Sequence, residues 1–285
     1  VIITSMREHQ KFLSLRSSAS RKVEGFLVVA DLETNDKQKT ILSGNMRVLN
    51  SRLKDAIFFY QNDLNLVKVH GMRAWNEKLK SVRFHEKLGS QYDRVERIKK
   101  IAVLLARKFD LEENAVQKAA TLIKADLVSE LVTEFPSLQG LMGAHYAEIE
   151  GYEKLVSDAI RDHYLPVGSN DLVPKQSLSI IMALSDKIEY LTCLWKIGIR
   201  PTGNKDPFAL RRASLGIIRI ILENKLDVDL DYLIDLTKVN FDMSDLQLFL
   251  KERIINYLIE KNYQKKVVEA VVRQYKLDFL PILPR

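Results

Sequence analysis

From residue 93 onward, apolar side chains recur at steps of three and four. Val95, Ile98, Ala102, Leu105 and Phe109 make one such stripe, the spacing that lines up side chains on a single face of an α-helix. The period continues in segments at roughly 112–133, 141–163, 174–196, 206–223 and 241–275, with Pro136, Pro166, Pro174 and Pro201 falling between them. Residues 1–89 are less uniform. Short β-like runs, VIITS, FLVVA and KTIL, sit among helical patterns at NMRVLNSRLKDAIFFYQND and AWNEKLKSVRF. In the first of these, Val48, Leu49, Leu53, Ile57 and Tyr60 share one side, whereas Arg47, Asn50, Lys54 and Gln61 take others, which predicts an amphipathic surface helix. The LGSQYD stretch around Gly89 and Ser90 relaxes the backbone just before the long helical region and marks a boundary. The pattern therefore predicts an α+β chain: a small mixed α/β portion over 1–89, a larger all-α domain over 90–223, and a helical extension over 224–285. There is no internal repeat.

Composition narrows the class. A 285-residue chain that is 46% hydrophobic can bury a packed core. Its single cysteine, Cys193, allows neither an internal disulfide nor a thiol-rich metal site and suits a reducing compartment. No apolar run approaches the length of a membrane span. The chain opens on VIITSMREHQ, with no initiator Met or signal pattern, and stops abruptly at FLPILPR, as expected of an excised piece. Net charge is +7 and uneven: residues 1–100 hold 20 Lys or Arg against 11 Asp or Glu, the remainder 24 against 26. A basic excess of this kind favours an anionic partner.

One interruption stands out, GIRPTGNKDPFALRR at 198–212. Asp206 before Pro207 reads as an N-cap with proline at the first helical position. On the helix that follows, Leu210, Ser214, Ile217 and Ile221 cluster on one side, which turns Arg212 and Arg219 outward with Gly216 between them. From Lys196 to Arg219 there are six basic residues and one acidic one. Guanidinium groups on an open helical face suit phosphate oxygens; equally, the arginines could bridge to neighbouring acidic helices. A second basic stretch, Lys68 to Lys100, has ten Lys or Arg against four acids, with Trp75, Phe84 and Tyr92 interleaved. Those aromatics fit either base stacking or, better, core anchoring.

Catalytic signatures are lacking. The chain has no GxSxG, no GxxxxGK[ST] and no GxGxxG after a strand. His163 follows Asp162 in the reverse of the order a His-Asp metal site uses, and His9, His70, His85 and His145 have unrelated neighbours. Cys193, within YLTCLWKIG, reads as a buried small hydrophobe. Glu148 and Glu150 fall on different helical faces, so they make no acid/base couple. No catalytic residue and no metal ligand is assigned. Tyr190, Trp195 and Tyr257 could anchor a core or a subunit contact, and the core is favoured.

Taken together, SMREHQKF, GNMRVLNSRLKDAIFFY, KLGSQYDRVERI, KAATLIKADLVSELVTEFPSLQGLMGAHYA, RDHYLP, ALSDKIEYL and GIRPTGNKDPFALRRASLGIIRII resemble the β subunits of bacterial two-subunit glycyl-tRNA synthetases. These strings cover most of residues 3–222 in the family's order; beyond 223 only the general character is similar. The resemblance implies a cytoplasmic α2β2 enzyme that attaches glycine to tRNA(Gly), in which a separate α subunit uses ATP with Mg to activate glycine and β supplies tRNA-binding surface. This piece itself would hold no cofactor. It also implies a longer β chain, and over 90–223 a domain resembling a degenerate His-Asp (HD) phosphohydrolase fold. AATLIKADL stands where an active member places its His-Asp pair and offers Lys124, Ala125 and Asp126, while Asp186 in ALSDK resembles that fold's late aspartate. Too few ligands then remain for a metal, which leaves an RNA-facing scaffold. On this reading tRNA contacts fall to Lys205, Arg211, Arg212, Arg219 and Arg200, with Arg47 and Arg52 as further candidates. The other readings are an architectural, subunit-holding module and a residual metal-dependent phosphohydrolase.

Overall fold

The computed structural model describes residues 3, 6, 7, 10–17, 22–203 and 205–274. The VIITS run, apart from Ile3, and His9 lie outside the described residues. An antiparallel hairpin of β1 (Leu13–Arg16) and β2 (Val23–Leu27) comes first, pairing Leu13 with Leu27 and Leu15 with Gly25. It closes over a small apolar cluster of Met6, Phe12 and Leu49, with the Phe12 and Phe26 rings stacked at 4.8 Å.

The KTIL run, expected as a strand, is the first turn of a 40-residue helix, α1 (Lys39–Lys78). The reason lies just upstream. Asp36 Oδ2 accepts the Thr40 backbone N–H at 2.7 Å and Thr34 Oγ1 accepts that of Gln38 at 2.9 Å, so donors that a helix start leaves unpaired are satisfied. The helix expected at 45–63 is part of α1, which breaks only at Gly71 (φ 70°, ψ 163°); the one expected at 74–84 is helical only to Lys78 and gives way to a 3₁₀ turn and a strand. There Glu150 Oε2 accepts the freed N–H of Met72 at 2.6 Å, and a Cβ on residue 71 would lie 2.8 Å from Glu150 Oε1. The expected amphipathic stripe is only partly buried: Leu49 is covered and Leu53 and Tyr60 are half-buried, but Val48 and Ile57 are 44% and 56% exposed.

After a 3₁₀ turn (Leu79–Ser81), β3 (Arg83–His85) pairs antiparallel with β4 (Gly89–Ser90). Gly89 and Ser90, read above as a relaxed boundary, instead start α2 (Gln91–Lys108) through a reciprocal cap. Ser90 Oγ accepts the Asp93 N–H and Asp93 Oδ2 accepts that of Ser90. Gly89 has φ 85°, and a Cβ there would sit 2.4 Å from Asp93 Oδ2.

The remaining helices are α3 (Glu113–Leu122), α4 (Glu130–Glu134), α5 (Leu141–Glu150), α6 (Lys154–Asp162), α7 (Ser177–Lys196), α8 (Leu210–Asn224), α9 (Leu230–Leu236), α10 (Ser244–Glu260) and α11 (Lys265–Gln274). The long segments expected at 112–133, 141–163 and 241–275 are each divided, the middle one at Gly151 with φ 91°. The fold is thus mostly helical with two small two-stranded sheets, in line with the α+β expectation. One apolar cluster runs from Ala56 to Val272 and continues across both 89/90 and 223/224. At its centre is α7, buried on nearly every face from Leu178 to Trp195, with Asp186, Lys187 and Glu189 buried among its apolar residues. Trp75 and Trp195 are 2% exposed and Tyr257 8%, so these three are core anchors.

Candidate nucleic-acid interface

Two basic stretches far apart in sequence meet at one place. The β3–β4 hairpin packs beside the loop joining α7 to α8: the Phe84 ring lies 6.0 Å from Tyr190, and His85 lies 6.4 Å from Phe208. Arg83 and Lys87 of the hairpin are exposed, as are Lys196, Lys205 and Arg212 of the loop and helix start. Among the described residues, the side chains of these five make no hydrogen bond or ion pair, so their charge faces solvent. Glu86 is the exposed acid of the hairpin.

The loop is shaped by its own backbone. Gly198 at φ 86° ends α7, and Thr202 and Lys205 exchange backbone hydrogen bonds of 3.0 and 2.8 Å across a turn containing Gly203. Asp206 does cap α8, but three residues later than the sequence suggests. Its Oδ1 accepts the Leu210 N–H at 2.8 Å and its Oδ2 that of Arg211 at 2.9 Å. Pro207, Phe208 and Ala209 form a turn, with Ala209 at φ 54°, and the helix begins at Leu210. The carboxylate thus fills the helix N-terminus, and Arg211 reaches back to donate to the Gly203 carbonyl at 2.7 Å. Tyr190 Oη donates to the Phe208 carbonyl at 2.9 Å, tying the turn down to α7.

Other expected contacts prove to be committed elsewhere. Arg219 does not face outward: it is 7% exposed, pairs with Glu223 at 2.7 Å, and donates to the carbonyls of Gly168, Ser169 and Asp171 at 3.2, 2.8 and 2.6 Å. The wheel gave its direction on α8, but the 167–171 loop lies across that direction. Arg200 is a strut. Its guanidinium lies 4.2 Å over the Trp195 ring and its Nε donates to Asp245 Oδ2 at 2.7 Å, joining the end of α7 to the start of α10. Arg52 is ion-paired with Glu134 of α4. Arg47, one turn before it, is exposed and unpaired among the described residues.

Beneath the loop lies a cluster of which the resemblance singled out only Lys124 and Asp186. Arg94 donates to Asp186 Oδ1 and to Glu189 Oε2, both at 2.9 Å, and Arg97 donates to Glu189 Oε1 at 2.7 Å. Lys124 Nζ lies 3.0 Å from Asp186 Oδ1 and 2.8 Å from His163 Nε2. Arg94, Lys124, Asp186 and Glu189 are all buried. Burial works against the Asp186 carboxylate, but the Lys124 ammonium and Arg94 guanidinium outweigh it and hold its pKa well below the usual range. Burial draws Lys124 down to about 8 despite its pairing with Asp186. Burial and the adjacent ammonium lower His163 far enough to keep it neutral. Its Nδ1–H then donates to the Ile160 carbonyl at 2.6 Å and Nε2 accepts from Lys124.

Such an arrangement is poor in metal chemistry, because cations approach the Asp186 carboxylate where an ion would have to sit. Among the described residues, no group of three or more His, Cys, Asp or Glu converges as a metal site would need. His145 accepts or donates at 2.7 Å to Tyr60 Oη, and His70 is exposed. Asp126 is buried with Oδ2 accepting the Gly140 and Gly143 N–H groups at 2.6 and 3.0 Å. Burial pushes the Cys193 thiol up to about 12, which removes it as a nucleophile near neutral pH. Glu150 serves the α1 break and Glu148 pairs with Lys154, so they share no site. No described helix is long and apolar enough to cross a membrane.

Comparison with known proteins matches residues 1–273 to the family described as glycyl-tRNA synthetase beta subunit. The glycine–tRNA ligase beta subunit of Paracoccus denitrificans is 44% identical over 283 residues, covering 99% of this chain and 41% of the relative. That of Dinoroseobacter shibae is 52% identical over 230 residues, 81% of this chain and 32% of the relative. The Ruegeria protein of the same description is 43% identical over 284 residues, 99% and 41% respectively. The chain therefore spans about two-fifths or less of the length of these curated relatives.

Proposed function

This chain belongs to the glycyl-tRNA synthetase β-subunit family, and from that premise we propose that it is a tRNA-contacting, non-catalytic part of a glycine–tRNA ligase. The bond-making chemistry, activation of glycine with ATP and Mg, falls to a separate α subunit in a cytoplasmic α2β2 enzyme. The observation that carries this reading is the merging of the β3–β4 hairpin with the 198–212 loop, which gathers exposed Arg83, Lys87, Lys205 and Arg212 with no carboxylate partner among the described residues. Cations left unpaired in this way gain from counterion release on a polyanion. Arg211 stands beside them and fixes the loop through Gly203. Arg47, unpaired among the described residues, is a cation of α1 available for a peripheral contact, whereas Arg52, Arg200 and Arg219 are spent on structure.

In the same reading the helices over 90–223 are a degenerate HD-like scaffold. Support comes from the Lys124 ammonium lying 3.0 Å from Asp186, since these are the two positions that the resemblance aligns with that fold's metal site. In the complete enzyme, Lys205→Ala with Arg212→Ala should raise the KM for tRNA and leave glycine-dependent adenylate formation unchanged. A normal tRNA KM in that double variant would reject the assignment and favour an architectural role.

A further inference from the structure

Under Arg212 opens a cavity of ≈360 Å³, within the size range of small-molecule sites. Its charged wall is one-sided: Arg94, Lys124, Lys187 and Arg212 line it against a single acid, Asp186, which is already held by Arg94 and Lys124. Lys187 is 7% exposed on α7, and its ammonium spends two protons on the carbonyls of His163 and Tyr164 at 3.3 and 3.0 Å, which leaves one uncommitted. Arg94 bonds through Nε and Nη2, so Nη1 is also uncommitted. A buried cation without an anion is costly, yet here three buried cations, Arg94, Lys124 and Lys187, share the two buried carboxylates Asp186 and Glu189, while Lys187 hydrogen-bonds only to carbonyls. Burial draws Lys187 down to about 8, with the Asp186 carboxylate opposing and the Arg94 guanidinium reinforcing it.

A second observation shows that Lys187 is placed rather than merely present. It crosses α8 at Gly216, where a Cβ would lie 2.8 Å from Lys187 Cε and 3.1 Å from Cδ. Any side chain at 216 would displace it. Gly216 has an ordinary helical backbone, so glycine is needed here for space and not for conformation. The mouth is lined by Phe208, 36% exposed, and by the exposed Arg212, a flat ring and a flat cation suited to an aromatic base.

We propose that this cavity binds a phosphate-bearing small molecule of mononucleotide size, its phosphate toward Lys187 and Arg94 and its base between Phe208 and Arg212. The site goes beyond the tRNA surface, with which it shares only Arg212. Isothermal titration of the protein with AMP, inorganic phosphate and adenosine tests it. AMP should bind saturably at one site, phosphate at the same site more weakly, and adenosine weaker than AMP by tenfold or more. Gly216→Ala, a substitution that suits a helix, and Arg212→Glu, on an exposed position, should each weaken AMP binding at least tenfold while circular dichroism stays unchanged. No saturable AMP binding, adenosine binding as well as AMP, or AMP affinity that both variants leave intact would overturn the proposal.

Discussion

The cations on the surface of the 198–212 loop and those beneath it are the same residue types in opposite circumstances. Lys205 and Arg212 are exposed and make no ion pair among the described residues, whereas Arg94 and Lys124 are buried and bonded to Asp186, Glu189 and His163. In water a lysine or arginine keeps its hydration and stays available to a polyanion. Out of water it must be paired, and pairing consumes it. The contrast recurs within α8 itself, where Arg212 points to solvent and Arg219, two turns later, holds three carbonyls of the 167–171 loop. Charge counts along the sequence therefore overstate the binding surface, and environment decides which charges remain to bind.

The buried set should yield the largest effect when broken. Arg94→Met leaves Asp186 and Glu189 short of a partner, and removal of one side of a buried ionic cluster typically costs about 3–5 kcal/mol. Urea unfolding would register it as a fall in midpoint with little change in slope. A loss under about 1 kcal/mol would place Arg94 with the surface cations.

Next in size is a contrast between two buried carboxylates. Asp186 has two cations, whereas Asp126 relies on two N–H groups and its Oδ1 has no partner. Burial pushes the Asp126 carboxyl up from 3.8 to about 6. The native state then holds this proton to higher pH than the unfolded chain does. Its contribution to stability is full below pH 3.8 and is lost as pH rises through about 6. Asp126→Asn keeps an acceptor for Gly140 and Gly143 but does not titrate. On lowering the pH from 7 to below 4, the stability of wild type relative to this variant should rise by about 3 kcal/mol. A pH-independent difference would contradict the burial argument.

Arg219→Ala comes third, at about 2 kcal/mol of stability for the carbonyls it leaves unpaired, with tRNA affinity unchanged below the unfolding transition. Smallest of all, Lys205→Ala and Arg212→Ala should each alter stability by less than about 0.5 kcal/mol, as exposed unpaired positions do.

Much of this was legible beforehand. Of the stripe Val95, Ile98, Ala102, Leu105 and Phe109, the first four are fully buried and Phe109, at the helix end, half-buried, because a helix packed on a core writes its period into the sequence. Asp206 was recognised as a cap, but its side chain spans a turn and the helix begins three residues late, at Leu210. KTIL looked like a strand because four residues carry too little period to overrule propensity, and the caps at Thr34 and Asp36 decided it. The periodicity of α8 turns Arg219 away from its apolar face, but the 167–171 loop that covers it there comes from elsewhere in the chain and leaves no mark on that helix. The Arg94–Lys124–Asp186–Glu189 cluster had no local signature, since its partners lie up to 95 residues apart. The convergence of the two basic stretches at His85 and Phe208 was hidden for the same reason.

The most direct measurement is filter binding of tRNA to the protein across a salt series, comparing wild type, Lys205→Ala with Arg212→Ala, and Arg219→Ala. Each phosphate contact removed lowers the slope of log affinity against log salt by about 0.9. The surface double variant should therefore lose about 2 in slope and bind more weakly at every salt concentration, while Arg219→Ala follows wild type. A double variant with the wild-type slope, or an Arg219→Ala protein that loses slope while folded, would contradict the division between free surface cations and spent buried ones.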